Sequence, residues 1–153
     1  NFSEILSSSN QNSFIKFWNI EKINDIKLLS CINDIPCNVW PNSMVVLADK
    51  LFIGTELNGI FLININSHQV ICNVENDVYY ICSIIALKNG NIMIGGKDYE
   101  GYSILEYKCE NNQLVKIKSK DTEHHENITD ILPLDNGDII TCSMDELIKF
   151  FSK

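Results

Sequence analysis

Two adjacent histidines near the end of the chain lie among carboxylates and are its clearest candidates for metal chemistry. His124 and His125 are flanked by Asp121, Glu123 and Glu126, and imidazoles and carboxylates are typical zinc ligands. However, neighbouring side chains on an extended segment point to opposite faces, so adjacent histidines rarely bind one ion. We therefore predict an acidic loop with one structural histidine, no metal site and no cofactor.

Serine, histidine and aspartate are all present, but the sequence lacks the motifs that would make them catalytic. There is no GxSxG nucleophile turn, and Gly95-Gly96 lies at a strand end without the GxxxxGK pattern of a phosphate-binding loop. Asp135 and Asp138 form a carboxylate pair, but they border an Asn-Gly turn, where Asp commonly bonds to the local backbone. The sequence therefore predicts a protein that is not an enzyme.

Six cysteines, at positions 31, 37, 72, 82, 109 and 142, form no CxxC pair, which argues against zinc-ribbon and thioredoxin-like sites. Cys72, Cys82 and Cys142 lie within apolar runs, where a free cysteine behaves as a small hydrophobic residue. We therefore predict reduced core thiols and an intracellular, cytoplasmic protein.

The charge balance limits the classes of partner. The 153 residues include 12 lysines, no arginine and 20 acidic residues, for a net charge of −8. Binding to nucleic acids or anionic membranes requires clustered cations, so neither is expected. No apolar run approaches the roughly 18 residues of a transmembrane helix. Because the first residue is Asn rather than Met, we expect the chain to lie within a longer polypeptide.

Short apolar runs rich in isoleucine, separated by asparagine and glycine, predict an all-β protein. Alanine occurs only twice, which disfavours helices. The fourteen predicted strands are Glu4–Ser8, Phe14–Asn19, Ile26–Ile32, Met44–Ala48, Leu51–Thr55, Gly59–Asn64, Gln69–Val74, Ile81–Leu87, Ile92–Gly95, Ser103–Lys108, Leu114–Lys118, Ile128–Leu134, Asp138–Cys142 and Leu147–Phe151.

The turns recur with the strands. Gly90 and Gly137 lie 47 residues apart, each within an Asn-Gly hairpin turn between two apolar strands. The segment Val45–Glu56 matches the first of these hairpins, with a shorter turn. A four-strand unit that recurs every 40–47 residues indicates a repeat architecture.

In its last unit, His124 is followed by the Leu134–Asp145 hairpin and the strand Leu147–Phe151, and this pattern resembles a WD-repeat β-propeller. The resemblance implies structural roles for His124, for a hydroxyl from Thr141 or Ser143, and for the turn residue Asp145. The tryptophan position of the family is implied to hold, in the four units in order, Trp18, Asn64, Tyr107 and Phe151.

The resemblance covers nearly the whole chain and implies a partial propeller of about three and a half four-stranded antiparallel blades. The approximate units are 1–32, 33–74, 75–120 and 121–153. Seven blades need about 300 residues, so we expect upstream sequence or another chain to complete the ring. A β-trefoil, which closes by itself and typically binds glycans or protein, is the alternative fold.

The loops implied to share one propeller face carry aromatic and acidic residues, which suit an interface with a basic protein partner. We predict a non-catalytic protein-interaction scaffold within a larger intracellular protein or complex. The alternatives are a substrate-adaptor or regulatory propeller of a multidomain enzyme, such as a ubiquitin ligase or kinase, and a glycan-binding trefoil. The predicted partner-binding residues are Trp40, Glu75, Asp77, Tyr79, Tyr99 and Tyr102.

Overall fold

The computed structural model describes residues 4–9, 14–23, 26–36, 40–57, 59–74 and 78–152. Within these ranges the regular structure consists of fourteen β-strands, each overlapping a strand predicted from the sequence. The strands are β1 Glu4–Ser9, β2 Phe14–Ile23, β3 Ile26–Pro36, β4 Pro41–Leu47, β5 Lys50–Thr55, β6 Ile60–Asn64, β7 Gln69–Val74, β8 Tyr79–Ala86, β9 Ile92–Lys97, β10 Tyr102–Glu110, β11 Gln113–His124, β12 Ile128–Pro133, β13 Ile139–Ser143 and β14 Ile148–Phe151.

The strands form four sheets in which sequence neighbours are also spatial neighbours. The first compact unit, residues 1–41, contains the three-stranded sheet β1-β2-β3. The second unit, residues 42–153, contains the sheets β4-β5-β6-β7, β8-β9-β10-β11 and β12-β13-β14. Consecutive hairpins favour this order because a short turn can join only antiparallel neighbours.

The two Asn-Gly turns have the predicted backbone geometry. Gly90 and Gly137 adopt positive φ angles of 83° and 91°, which glycine accepts at little steric cost. Each turn is closed by backbone hydrogen bonds, including Leu87 N to Asn91 O at 2.8 Å and Leu134 N to Asp138 O at 2.8 Å. These turns fix the register of β8 with β9 and of β12 with β13.

The core of the second unit lies between its sheets. One cluster joins the β4–β7 sheet to the β8–β11 sheet and includes Phe52, Leu62, Ile81, Ile94 and Leu105. A second joins the β8–β11 sheet to the β12–β14 sheet through Met93, Ile104, Ile128 and Ile131. Each sheet is therefore stabilised by burial against its neighbour.

Three strands run well past their predicted ends. The strands β2 and β3 continue to Ile23 and Pro36, and β11 continues through polar residues to His124. In β11 the added residues are mostly exposed and polar, so they lack the apolar periodicity by which a strand is recognised, although cross-strand pairing continues through them. The segment Asp121–His124, which we predicted to be a loop, pairs with Tyr102 and Ser103 instead.

Candidate functional site

Two of the predicted partner-binding tyrosines meet at one end of the β8–β11 sheet. Tyr79 begins β8, and Tyr99 lies in the turn between β9 and β10. Their ring centroids are 6.2 Å apart at an interplanar angle of 86°, an edge-to-face arrangement. The two phenolic oxygens are 3.4 Å apart. Tyr99 is 77% exposed, so this pair offers aromatic surface to a partner.

The β9–β10 turn is held by the aspartate that precedes Tyr99. The carboxylate of Asp98 accepts hydrogen bonds from the backbone N–H groups of Glu100, at 2.9 Å, and Gly101, at 3.0 Å. Gly101 has a φ angle of 151°, a region that favours glycine. The sequence Asp-Tyr-Glu-Gly thus builds a turn that projects its tyrosine into solvent.

The beginning of β8 is anchored to the neighbouring sheet. Tyr80 has a φ angle of 51°, which costs a non-glycine residue about 1 kcal/mol or more. Its N–H donates a hydrogen bond of 2.6 Å to the carbonyl oxygen of Glu56, in the turn after β5. This bond stabilises the strained backbone and fixes the position of the adjacent Tyr79.

The end of the sheet that carries Tyr79 and Tyr99 has more negatively charged than positively charged side chains. The Lys97 ammonium group lies 5.3 Å from the centroid of the Tyr102 ring, a cation–π contact. Asp98 and Glu100 border Tyr99, and the pairing of Ser103 with Asp121 brings a further carboxylate to this end. The tyrosines are therefore surrounded by an excess of negative charge. We call Tyr79, Asp98, Tyr99, Glu100 and Tyr102 the tyrosine face.

The other predicted partner-binding residues are not joined to the tyrosine face. Trp40 is 50% exposed and precedes β4 in the first compact unit. Glu75 and Asp77 lie outside the described residues. Their roles in partner binding remain predictions from the sequence.

The second constellation is centred on His124, at the end of β11. Its Nδ1 atom lies 2.8 Å from an Asp145 carboxylate oxygen, and its Nε2 atom lies 2.8 Å from the Thr141 hydroxyl oxygen. An ionised Asp145 can only accept, so the Nδ1 atom carries a proton. In a neutral ring the Thr141 hydroxyl then donates to Nε2. His124 and Thr141 are buried. The contacts of the His124 ring with Asp145 and Thr141 therefore form a short polar network that links the β8–β11 sheet to the β12–β14 sheet.

Ser143, the other candidate for the hydroxyl beside His124, bonds to backbone groups of Glu126 and Asp145 instead of the imidazole ring. Its Oγ donates to the carbonyl oxygen of Glu126 at 3.0 Å and accepts the N–H of Asp145 at 3.2 Å. Asp145 also accepts the N–H of His125 at 3.0 Å and of Leu147 at 3.0 Å. The hydroxyl that contacts His124 thus comes from Thr141, while Ser143 orients Asp145.

These contacts determine how readily Asp145 is protonated. Burial by itself disfavours its charged form, but the His125 N–H and the His124 ring, followed by the Leu147 N–H and Ser143, stabilise the carboxylate and hold its pKa well below the usual value of 3.8. The network is therefore assembled around a carboxylate that is ionised at neutral pH.

The lowered pKa of Asp145 predicts a loss of stability in acid. Because the folded-state pKa lies below the unfolded-state value, the unfolded chain takes up a proton first as the pH falls through about 4. We expect the unfolding free energy of the wild type to exceed that of Asp145→Asn at pH 7. The difference should narrow as the pH falls from 5 to 2 in urea-unfolding measurements, and a pH-independent difference would contradict this assignment.

Three of the four residues implied to occupy the tryptophan position pair with the first apolar residue of the preceding strand in their sheet. Phe151 pairs with Ile139, Tyr107 with Ile92, and Trp18 with Ile5. Trp18 and Phe151 are covered by lysines, with the Lys16 and Lys120 ammonium groups 6.0 Å and 4.9 Å from the respective ring centroids. In the second unit, the first apolar residue of β5 is Leu51, and it pairs with Ile63. The residue in the equivalent place is therefore Ile63 and not Asn64.

The cysteine thiols are free where the structure describes them. Cys31, Cys72, Cys82, Cys109 and Cys142 form no disulfide, whereas Cys37 lies outside the described residues. Burial raises the thiol pKa of three of them, which disfavours the reactive thiolate; these are Cys72, Cys82 and Cys109.

The part of the chain that the structure describes contains neither a metal-binding cluster nor a membrane-spanning helix. In those ranges, no group of three or more His, Cys, Asp or Glu side chains is arranged to hold a metal ion. In the same residues, no helix is long and apolar enough to cross a membrane.

Solved structures with a similar fold include several propellers. The WD40 β-propeller domain of Doa1 matches with a TM-score of 0.74 and 24% identity, over 100% of this chain and 48% of that chain. A chain of the mitotic checkpoint complex matches with a TM-score of 0.75 and 15% identity, over 97% of this chain and 45% of that chain. The computationally designed protein Ika4 matches with a TM-score of 0.70 and 16% identity, over 99% of this chain and 86% of that chain.

These similarities establish the fold. The chain is all-β and has the fold of part of a WD40 β-propeller, as the sequence predicted, and the β-trefoil alternative is wrong. It spans slightly less than half the length of the Doa1 and checkpoint chains. No protein-family model and no curated protein matches the sequence.

Proposed function

We propose that this WD40-type propeller segment is a non-catalytic protein-interaction module of a larger intracellular protein, and that its tyrosine face binds a partner with a basic surface. The observation that carries the proposal is the Tyr79–Tyr99 pair, in which the half-buried ring of Tyr79 at the start of β8 contacts the exposed ring of Tyr99 in the β9–β10 turn, beside carboxylates. Propellers of this fold are generally interaction domains, which supports the coarser part of the proposal.

The chemistry of the tyrosine face favours a lysine- or arginine-bearing partner. Tyrosines supply rigid contact area and a π-face for cations, and Asp98 and Glu100 add long-range attraction for positive charge. Asp98 also fixes the turn through two backbone bonds, so the backbone that carries Tyr99 has little entropy left to lose on binding.

The test is alanine substitution of the tyrosine pair in the full-length natural protein. Interface tyrosines at the centre of a contact each contribute about 2 kcal/mol or more, so Tyr79→Ala/Tyr99→Ala should weaken binding of the principal protein partner at least tenfold. Retention would be quantified by affinity purification and mass spectrometry, and the affinity of the purified partner by calorimetry.

The matched control is Val115→Ala/Ile117→Ala, which removes exposed apolar surface from β11 of the same sheet. It should leave the partner affinity unchanged. Equal retention of every partner by the tyrosine variant and the wild type would refute the proposed face. A partner that is lost but contacts the face with acidic residues would refute the predicted charge.

A further inference from the structure

A lysine lies between two aromatic residues of the tyrosine face. Lys97, the last residue of β9, pairs across the sheet with Tyr79 of β8 on one side and with Tyr102 of β10 on the other. Residues paired in this way point to the same side of the sheet, with Cβ atoms about 5 Å apart. The lysine is exposed, whereas both tyrosines are half-buried. Its ammonium group is therefore presented to any partner that covers these rings.

The Lys97 ammonium group contacts an aromatic ring but has no counter-ion. It lies 5.3 Å from the centroid of the Tyr102 ring, a contact that the ring quadrupole favours without cancelling the positive charge. Within the part of the chain that the structure describes, Lys97 forms no ion pair. The charge of this lysine is therefore left to water or to a bound partner.

The carboxylates that border this end of the sheet are held by other donors. One oxygen of Asp98 accepts two backbone N–H groups of the β9–β10 turn, and the other lies 3.5 Å from the Ser119 hydroxyl on β11. Asp121 accepts a backbone N–H of its own segment at 2.8 Å. These bonds build the turn and the strand end, and they do not neutralise Lys97.

A partner that covers the tyrosine pair also covers Lys97, because Tyr79 contacts Tyr99 on one side and pairs with Lys97 on the other. Removing an ammonium group from water without a counter-charge is strongly unfavourable. Cations of the partner that approach Asp98 would also be repelled by Lys97 at short range. Binding is therefore most favourable when one carboxylate of the partner lies among its cations, opposite Lys97.

We propose that Lys97 determines the specificity of the tyrosine face by pairing with an aspartate or glutamate side chain of the partner. The recognised surface then combines Lys or Arg side chains, which lie against Asp98 and Glu100, with one acid opposite Lys97. A uniformly basic surface is disfavoured by the same ammonium group, which acts as a repulsive element against the wrong partner. The inference rests on the proposed function, since it specifies the charge pattern that the tyrosine face selects.

Reversing the charge of Lys97 distinguishes this pairing from simple attraction between a negative face and a basic partner. Simple attraction predicts that Lys97→Glu makes the face more negative and tightens binding. Pairing with a partner carboxylate predicts the opposite, because the substitution places two acids together and should weaken binding at least tenfold. Lys97→Met retains an apolar stem beside Tyr102, so it should weaken binding less than Lys97→Glu.

The experiment is a selection of random linear peptides displayed on phage against the full-length natural protein. Peptides that bind Tyr79→Ala/Tyr99→Ala at least tenfold more weakly than the wild type are kept as ligands of the tyrosine face. We expect them to carry Lys or Arg together with Asp or Glu at a constant spacing. Their affinities, measured by fluorescence anisotropy of synthetic copies, should fall at least tenfold for Lys97→Glu. Replacing the acid of the peptide with lysine should restore most of that loss, which would also show that the variant is folded.

The charge-matched control is Lys116→Glu. This exposed lysine of β11 pairs with Tyr107, five residues along β10 from Tyr102 and hence about 17 Å away. Its variant should bind within about twofold of the wild type, because that separation exceeds the screening length at physiological salt.

The outcomes separate the role of Lys97 from the existence of the tyrosine face. Tyrosine-dependent peptides that lack an acid would overturn the role of Lys97 and leave the tyrosine face intact. Equal or tighter binding of these peptides to Lys97→Glu would have the same meaning. A selection without any tyrosine-dependent peptide would refute the tyrosine face, and the role of Lys97 with it.

Discussion

Replacing His124 with leucine is expected to lower the unfolding free energy by about 2–4 kcal/mol. Leucine fills much of the same space, but it leaves the Thr141 hydroxyl and one side of the Asp145 carboxylate without the ring that now contacts each at 2.8 Å. A buried hydroxyl without a partner costs about 1–3 kcal/mol, and the loss of a bond to a charged group costs a similar amount. Urea unfolding of the full-length protein would measure the change.

The adjacent histidine provides the control. The ring of His125 is exposed, and this residue contributes only its backbone N–H to Asp145, so His125→Leu should change stability by less than about 0.5 kcal/mol. Adding Thr141→Val to His124→Leu should cost less than the two single changes summed, because valine removes the stranded hydroxyl. Equal effects of the two histidine substitutions would show that the network does not stabilise the fold.

The strands of this fold could be predicted from the sequence because their signals are local. The Asn-Gly turns at Gly90 and Gly137 define hairpins through the backbone geometry of a few residues. The choice between Thr141 and Ser143 could not be predicted in this way. Both residues lie on the same side of β13, and the one that reaches His124 is decided by the packing of β13 against the end of β11.

The arrangement of the tyrosine face likewise depends on tertiary contacts that cannot be predicted from a local stretch of sequence. The aromatic loops were recognisable, but the contact of Tyr79 with Tyr99 depends on the strained backbone of Tyr80 and its bond to Glu56 in another sheet. No single segment of sequence contains that information.

The second large effect is expected at Gly54, where an isoleucine of the next sheet occupies the space of a side chain. A Cβ atom on Gly54 would lie 2.3 Å from Cγ2 of Ile81 and 3.4 Å from its backbone oxygen. Gly54→Ala therefore forces β8 away from β5, at a cost of about 3 kcal/mol. Gly90→Ala meets no atom within 4 Å, so only its positive φ angle opposes the change, by about 1 kcal/mol.

A double-mutant cycle separates this contact from general loss of packing. Ile81→Ala alone should cost about 2–5 kcal/mol by leaving a cavity, but it removes the Cγ2 atom that the new methyl group would strike. The double variant Gly54→Ala/Ile81→Ala should therefore lower the unfolding free energy by clearly less than the sum of the two single changes in urea unfolding, and strict additivity would contradict the argument.

Because Ile81 directly follows Tyr80, Gly54→Ala should also displace Tyr79 from Tyr99 and weaken binding at the tyrosine face, whereas Gly90→Ala should not. The same close approach recurs between Gly95 and Ile128, at 2.7 Å, so Gly95→Ala/Ile128→Ala should show coupling of the same sign.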